Sequence, residues 1–382
     1  MNDQNLYRYL RQSPQDGSSF YRQSPLWTRL HIDLPLLIAL LLTITIGLVE
    51  QYSATGRNVS LVLKQATSFG LGLGVMLFMA QIPPRIYQAF SPWLFGLVLA
   101  LLVMVALFGT VAMGARRWLT IPGVTRFQPS EFMKLAMPMM MAWYLSGRLL
   151  PPSLRVVGIS MALIAAPAFL IARQPDLGTA ILVAGSGFFV LFLAGLPWWL
   201  ISLGVGGLAA AAPFAWHMLH DYQKQRILTL IDPEADPLGT GWNIMQSKTA
   251  IGSGGLTGKG WLNGSQAHLE FLPEGHTDFV IAAYSEEFGL VGILVLLALY
   301  GFLLMRCLYM ATSATDSYSR LLAGAITLSF FIYVFVNAGM VSGILPVVGV
   351  PLPFISYGGT AIITLMTGFG MLMSIHTHKK RL

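Results

Sequence analysis

The sequence has little charge and almost no cysteine. Only 10% of its 382 residues are Asp, Glu, Lys or Arg, whereas 55% are hydrophobic, and a soluble globular domain carries about 25% charged residues. Cys307 is the single cysteine, which excludes a disulfide bond within the chain. The shortage of charge excludes a soluble enzyme and indicates an integral membrane protein.

The sequence also lacks a nucleic-acid-binding stripe and a nucleotide-binding loop. Its formal net charge is +7, but the basic residues are scattered between apolar runs, so we expect no nucleic-acid partner. The run GSGGLTGKG at 252–260 resembles a phosphate-binding loop, yet Ser253 stands where the first glycine belongs and Gly260 follows Lys259. We therefore expect no nucleotide, and we interpret this run as a flexible hinge or lid.

Long apolar runs are abundant instead. A bilayer-spanning helix needs about 20 apolar residues, and ten such windows occur. They lie near 34–53, 64–82, 92–113, 131–147, 156–173, 177–196, 198–216, 279–305, 321–341 and 354–375. The expected fold is therefore all-α, a polytopic membrane protein with about ten transmembrane helices and one large outer loop between helices 7 and 8. Pro138, Pro167 and Pro213 predict kinks or half-helices.

The basic residues predict the orientation. Because cytoplasmic loops are enriched in Lys and Arg, twelve such residues on the side of the termini, against six in the short opposite loops, predict that both termini are cytoplasmic. No signal-cleavage pattern is evident, so the first helix is expected to remain as an anchor. The expected order is a cytoplasmic segment 1–33, helices 1–7 in 34–216, an extracytoplasmic loop 217–278 with short helices, helices 8–10 in 279–375, and a cytoplasmic tail 376–382.

The stretch FLPEGHTDFVIAAYSEE, from Phe271 to Glu287, brings a carboxylate to the mouth of a membrane helix. Ionisable residues there are costly and usually functional, so Asp278 is a candidate active-site residue. Helical spacing places Ala282, Ser285 and Gly289 on its face, and these small residues predict a bordering cavity. The alternative is that Asp278 is only a helix N-cap or a first-turn anion, which the helix macrodipole favours at that end.

Other polar groups extend this hypothesis. Glu286 and Glu287 cannot face lipid cheaply, so at least one should pair with a basic or polar group of another span, with Lys134 as one candidate. The stretch 345–360 has three prolines and three glycines, cannot form a regular helix, and is expected to line the same outer cavity.

Three arginines crowd one outer loop, against the positive-inside bias. They are Arg116, Arg117 and Arg126. An arginine offers a bidentate fork to phosphate, so this cluster is a candidate site for a phosphate or diphosphate group. The alternative is that these side chains contact lipid headgroups.

Several motifs in family order resemble the SEDS family (shape, elongation, division and sporulation), in its RodA branch. They are ARRWLTIPGVTRFQPSEFMKLAMP at 115–138, RQPDLGTA at 173–180, DPEADPLGTGWNIMQSKTAIGSGGLTGKGWL at 232–262, EFLPEGHTDFVIAAYSEEFGLVG at 270–292 and NAGMVSGILPVVGVPLPFISYGGT at 337–360. FQPSE, HTDF and ISYGGT are the most specific, and the resemblance runs from residue 33 to the end.

The resemblance implies a peptidoglycan glycosyltransferase of the bacterial cytoplasmic (inner) membrane. Such an enzyme polymerises lipid II during cell elongation, together with a class B penicillin-binding transpeptidase and other elongation-complex proteins. It implies that Asp278 is catalytic, and we interpret it as the general base of an inverting reaction whose leaving group is undecaprenyl diphosphate. Mg²⁺ or Mn²⁺ is a candidate cofactor that would bridge the diphosphate. The substrate-binding candidates are Arg116, Arg117, Arg126, Gln128, Lys134, His276, Thr277 and Ser356.

Two other functions fit a ten-span protein with a polar cavity. A lipid II flippase would need access from both faces of the membrane, whereas the polar groups here concentrate on the outer side, which favours the enzyme. A scaffold that only recruits the transpeptidase would show no dependence on these residues.

Overall fold

The structure, a computed structural model, describes residues 30–112, 115–120, 126–218, 221–236, 239–265 and 275–378. Twelve α-helices dominate this part of the chain. They are α1 (Leu34–Ala54), α2 (Val59–Gln81), α3 (Pro84–Phe108), α4 (Pro129–Ser146), α5 (Leu154–Arg173), α6 (Leu177–Leu193), α7 (Trp198–Met218), α8 (Asp221–Ile231), α9 (Thr240–Gly254), α10 (Val280–Thr312), α11 (Ser317–Val341) and α12 (Gly359–Thr377).

Every one of the ten apolar windows contains a helix, so the predicted all-α membrane architecture is confirmed. Seven of the described helices are long and apolar enough to cross a membrane. Two more, α6 and α7, are apolar but have shorter described apolar spans, and α4 has 18 residues that include buried charge. The chain is therefore a multi-pass membrane protein.

A small antiparallel sheet interrupts the helices, and the sequence reading missed it. It has three strands in the order β1 (Thr110–Ala112), β2 (Ala115–Thr120) and β3 (Arg126–Phe127), between α3 and α4. In the expected outer loop, the prediction of short helices is confirmed by α8, a 3₁₀ turn at Pro233–Ala235, and α9.

The prolines do not break the helices that contain them. Pro138, Pro167 and Pro213 lie inside α4, α5 and α7, which continue through them, so the expected half-helices do not occur there, and the alternative of kinks stays a prediction. Gly289 breaks α10 instead, with φ 63° and ψ −161°, a conformation that favours glycine.

The segment 254–260 docks against this break and replaces the missing helical hydrogen bonds. Lys259 N and Gly260 N donate to the carbonyls of Glu286 and Glu287, at 3.0 Å each. Leu290 N and Val291 N donate to the carbonyls of Gly255 and Leu256, at 3.0 and 3.1 Å. Buried backbone groups need such partners, so the run that the sequence suggested as a flexible hinge is a docked structural segment.

Aromatic packing fixes the irregular stretch 343–358 against the core. Phe354 lies with its ring centroid 5.4 Å from that of Phe369 and 6.0 Å from that of Phe330. The Tyr300 hydroxyl donates to the Pro353 carbonyl at 2.6 Å. These contacts hold non-helical backbone inside the helical bundle, where surrounding protein replaces water.

At the opposite end of the bundle, an ion pair ties three helices together. Asp33 caps α1 by accepting a hydrogen bond from Leu36 N at 3.0 Å. Its carboxylate also accepts from Arg306 Nε at 3.0 Å and Nη2 at 2.5 Å, while His376 Nε2 lies 3.7 Å away. This bidentate geometry joins the start of α1 to the ends of α10 and α12.

Candidate active site around Asp278

Asp278 lies half-buried in the turn 275–279, just before α10 begins at Val280. The N-cap position of α10 is occupied by Phe279, which makes no side-chain capping hydrogen bond. Asp278 is therefore not the N-cap residue, and that part of the alternative was wrong. The other part, an anion beside the first turn, stays a prediction. The position of Asp278 at the mouth of a membrane helix stands as predicted.

A buried asparagine holds the backbone of this turn. Asn337 Nδ2, from α11, donates to the carbonyl of Asp278 at 2.9 Å and to that of Val350 at 2.7 Å. Because one amide group bonds both carbonyls, Asn337 fixes the turn relative to the stretch 343–358. Asn337 has no exposed surface, so this positioning takes place away from water, where such bonds rigidify the structure.

Ser356 makes a second link between the same two segments. Its hydroxyl donates to the Thr277 carbonyl at 2.5 Å and accepts from Leu352 N at 2.8 Å. Ser356 was predicted to bind substrate, but it is 3% exposed and its hydroxyl bonds protein backbone. Its contacts are those of a positioning residue.

Two glutamines extend the support to α1 and α2. Gln51 Nε2 donates to the carbonyls of His276 and Ile355, at 2.7 and 3.1 Å. Gln65 Nε2 donates to the carbonyl of Ser356 at 3.0 Å. The His276 carbonyl also accepts from Tyr357 N at 3.0 Å. Polar side chains from three helices thus fix the turn that carries Asp278.

The stretch 345–360 reaches the carboxylate, while its predicted role in lining an outer cavity with Asp278 stays a prediction. It is non-helical up to Gly358, and a Cβ added to Gly349 would lie 3.4 Å from Asp278 Oδ2. Gly349 has φ +78°, which favours glycine. At the end of this stretch, the Tyr357 ring lies edge-on to the His276 ring, with centroids 6.4 Å apart.

Among the described residues, the small side chains of α10 below Asp278 pack against protein rather than an open cavity, so that expectation was wrong. Ala282 is buried with Ile244 and Val347 in a small apolar cluster. A Cβ on Gly254 would lie 2.1 Å from the carbonyl of Ser285. The small residues instead let α9 and the docked segment approach closely.

The outer arginine cluster is described only in part. The side chains of Arg116 and Arg126 lie outside the described residues. Arg117 is half-buried, with Nε donating to the Gln174 carbonyl at 3.3 Å and Nη2 donating to the Pro175 carbonyl. Its Nε also lies 3.9 Å from Asp176 Oδ2.

Gln128 belongs to the same corner of the fold. Its Nε2 donates to Asp176 Oδ2 at 3.0 Å, and Asp176 also caps α6 through Thr179 N at 3.2 Å. Asp176 therefore gathers Arg117, Gln128 and the start of α6 at one point. Asp176 was not among the predicted site residues, although its place before a helix in RQPDLGTA is typical of an N-cap.

Lys134 does not pair with Glu286 or Glu287, so that suggested pairing was wrong. Lys134 Nζ lies 2.6 Å from Glu131 Oε1, one turn earlier on α4, and 5.3 Å from the ring centroid of Tyr333. The spacing of three residues makes this the nearer partner on the helix surface.

This ion pair lines a narrow cleft of about 40 Å³ between α4, α6, α11 and α12. The lining is mostly apolar, with few polar groups. Among the described residues, Glu131 Oε2 and Ser329 Oγ have no hydrogen-bond partner. A second, smaller pocket of about 10 Å³ under the stretch 351–358 shares Tyr333, Ala361 and Leu365 with it. The cleft therefore extends toward the support of Asp278.

The prediction that Glu286 or Glu287 pairs with a polar group is confirmed. Glu286 Oε1 accepts from Lys259 Nζ at 2.5 Å and from Ser265 N and Oγ at 3.0 and 2.8 Å. Glu287 accepts from the Ser53 hydroxyl on α1, a different span. Both glutamates are buried, and their contacts fasten α10 to the docked segment and to α1.

Comparisons with known proteins agree with this architecture. The chain matches the model of the cell cycle protein family that comprises FtsW, RodA and SpoVE over residues 27–381. It is 54% identical over 357 residues to the peptidoglycan glycosyltransferase MrdB of Escherichia coli K12, covering 93% of this chain and 96% of that protein.

Two solved structures are similar over nearly the whole chain. One belongs to a peptidoglycan synthase complex that coordinates polymerization and crosslinking, with a TM-score of 0.81, 32% identity, and coverage of 92% of this chain and 99% of that one. The other is the rod shape determining protein RodA of Thermus thermophilus, with a TM-score of 0.69, 29% identity, and coverage of 92% and 98%. The chain belongs to the SEDS family, and within it to the RodA branch.

Proposed function

We propose that this protein is a peptidoglycan glycosyltransferase that polymerises lipid II into glycan strands for cell elongation. The observation that carries the proposal is Asp278, a half-buried carboxylate whose turn is fixed by Asn337, Ser356 and Gln51. A catalytic carboxylate must be held in a defined position to accept a proton. The similarity to MrdB, named as such an enzyme, supports the same activity.

In the proposed reaction, Asp278 accepts the proton of the 4-hydroxyl group of one lipid-linked disaccharide. The hydroxyl oxygen forms a bond to the anomeric carbon of a second lipid II molecule, and the bond from that carbon to the diphosphate oxygen breaks. Undecaprenyl diphosphate leaves with the bonding electrons. A single displacement inverts the anomeric carbon, and a diphosphate leaving group needs positive charge more than an acid.

We propose that the arginine cluster supplies this charge. The Arg117 side chain is 35% exposed, so its guanidinium is accessible to a ligand even though its Nε lies 3.9 Å from Asp176 Oδ2. Arg116 and Arg126 are near it in sequence. Lys134 is a weaker candidate, because its charge is matched by Glu131 at 2.6 Å. We assign Gln128, His276 and Thr277 to the surroundings of the reacting sugars.

The apolar cleft beside Lys134 suits the isoprenoid part of the substrate. Its lining from α4, α6, α11 and α12 is mostly hydrophobic, and the Lys134–Glu131 pair gives it one polar wall. Moving an isoprenoid chain from the bilayer into an apolar cleft gives little favourable free energy. The cleft would therefore orient the diphosphate end of the substrate rather than increase its affinity.

The described residues contain no group of three Asp, Glu, His or Cys side chains that fits a metal ion. A protein-only Mg²⁺ or Mn²⁺ site is therefore not formed by them. We propose that any such ion binds together with the substrate, because Mg²⁺ takes many of its ligands from phosphates and water. Comparing lipid II binding with and without a chelator measures this directly.

We place the protein in the bacterial cytoplasmic membrane, with both termini inside and Asp278 facing out. The excess of Lys and Arg on the side of the termini supports this orientation. We propose that its partners are a class B penicillin-binding transpeptidase and other proteins of the elongation complex. The similarity to a chain of a complex for polymerization and crosslinking supports the first partner.

The test of the proposed function uses purified protein and labelled lipid II in detergent solution. No bilayer separates two compartments there, so a flippase has nothing to transport. We expect long glycan strands with the wild type and with Asp232→Asn, a control that removes an exposed outer-loop carboxylate. Absence of polymer from folded wild-type protein would favour a flippase or a scaffold.

A further inference from the structure

Glu50 is a buried acid that the proposed reaction does not use. It lies on α1 with no exposed surface, and among the described residues neither of its carboxyl oxygens has a hydrogen-bond partner. An ionised carboxylate in such a place lacks both water and a compensating partner, which is a costly state. The group must therefore be neutral or hold a ligand.

The groups that face Glu50 are mostly acidic. Glu287 on α10 is its charged neighbour, and the phenol of Tyr284 is also close enough to interact. Glu286 is next to Glu287 in the sequence, and Lys259 from the docked segment pairs with Glu286 at 2.5 Å. Within the described part of the chain, no positive charge is placed on Glu50.

Two buried carboxylates at the same contact between helices repel each other, and a shared proton removes that repulsion. Ser53 lies one turn after Glu50 on α1 and donates to Glu287, which shows that this face of α1 meets α10 at the acid. A neutral carboxyl has one O–H donor and keeps an acceptor oxygen. Its O–H would donate to Glu287, and its second oxygen would remain an acceptor.

We propose that Glu50 and Glu287 form a buried proton-binding pair, in which the protonated carboxyl of Glu50 donates to the carboxylate of Glu287. The pair joins α1 to α10 two residues before its break at Gly289. Gln51, the next residue on α1, holds the carbonyl of His276 two residues before Asp278. The bound proton therefore links the contact between α1 and α10 to the position of the Asp278 turn. Its effect on activity rests on the proposed function.

The proton itself is detected by infrared spectroscopy of the purified protein. At about pH 8 an ordinary glutamate is ionised, so a protonated carboxylic acid gives a distinct C=O stretching band. We expect this band in the wild type and in Glu234→Gln, which alters an exposed acid, and we expect its loss in Glu50→Gln. A band that persists in folded Glu50→Gln, or is absent from the wild type, would overturn the proposal.

Stability against pH is an independent readout that needs no lipid II. An unfolded glutamate releases its proton well below neutral pH, so the folded protein holds one more proton, and its unfolding equilibrium constant rises about tenfold per pH unit until Glu50 ionises. Glu50→Gln lacks this dependence. Its melting temperature, measured relative to that of the wild type, should therefore increase as pH rises. A constant difference would contradict the proposal, as would stabilisation by added Na⁺, Ca²⁺ or Mg²⁺ that depends on Glu50.

Loss of polymerisation in variants of Asp278 cannot mimic these results, because both readouts come from protein alone. If the proposed function failed while the band disappeared in Glu50→Gln, the proton-binding pair would stand and only its link to activity would fall.

Discussion

Replacing Gly258 by Ala tests whether the docked segment holds the broken middle of α10. Gly258 has φ +79°, and an added Cβ would lie 2.1 Å from the carbonyl oxygen of Glu287. Contacts under 3.0 Å with backbone force a shift of one segment or the other. The substitution therefore separates 254–260 from α10, because the carbonyl cannot rotate away without losing its bond to Gly260 N.

The magnitude follows from the contacts. A left-handed conformation costs a non-glycine residue about 1–2 kcal/mol. Undocking also removes four backbone hydrogen bonds, each worth about 0.5–1.5 kcal/mol, or about 2–6 kcal/mol together. The sum is about 3–8 kcal/mol, a large fraction of the roughly 5–15 kcal/mol that stabilises a typical domain.

Thermal unfolding in detergent and polymerisation of lipid II are the assays. Gly252→Ala is the matched control, since an added Cβ there meets nothing within 4 Å and lies within α9, where alanine stabilises by about 0.5–1 kcal/mol. Gly254→Ala isolates the steric effect, because its Cβ would lie 2.1 Å from the Ser285 carbonyl without a left-handed φ. Equal melting temperatures for Gly258→Ala and Gly252→Ala would refute the reasoning.

Three further predictions concern other contacts. Asn337→Leu leaves two carbonyls without their donor at about 1–3 kcal/mol each, so kcat for lipid II polymerisation should fall at least about tenfold, with KM changed less. Lys134→Met leaves the Glu131 carboxylate without its cation and should lower the free energy of unfolding by about 3–5 kcal/mol. Adding Glu131→Gln should restore most of this loss. Burial and the nearby His378 lower the pKa of His31, so its stabilisation is present above pH 6.5 and is lost as pH falls through the lowered pKa. Amide exchange in the C-terminal tail should rise on acidification in the wild type but not in His31→Gln. The Asn337→Leu prediction would be contradicted by an unchanged kcat, and the Lys134→Met prediction by a Glu131→Gln addition that restores no stability. Equal amide exchange in the wild type and His31→Gln would contradict the third.

The membrane helices could be predicted from the sequence because each one is a long apolar run. The break at Gly289 could not, since the apolar pattern continues through it and the run EEFGLVG has no proline. The replacement hydrogen bonds come from 254–260, about 30 residues earlier. A local sequence pattern cannot predict a partner that is so far away in the chain. The three prolines, in contrast, predicted interruptions in helices that are continuous.

The candidate site was predicted better in its chemistry than in its supports. Asp278 and the stretch 345–360 lie together as expected, because a carboxylate and irregular backbone are both unusual at membrane depth. Gln51, Gln65 and Asn337 were missed, although a polar amide in an apolar window is itself a signal. Only the fold shows which carbonyls those amides bond.

The pairing of Lys134 shows where distance along the chain misleads. The hypothesis looked for a carboxylate on another span, whereas Glu131 stands three residues away on the same helix. Glu286 found its cation in Lys259 of the docked segment, which the sequence reading treated as a mobile lid. Both outcomes depend on how α9 and 254–260 pack, which composition does not specify.

The most direct test of the central claim is the single-turnover rate of Asp278→Asn at saturating lipid II. Asparagine keeps the shape of the side chain but cannot act as a base, and general-base catalysis contributes about 10²–10⁴-fold. The account predicts a loss of that size with an unchanged melting temperature and retained lipid II binding. A rate close to that of the wild type, measured on folded and lipid-bound protein, would contradict it.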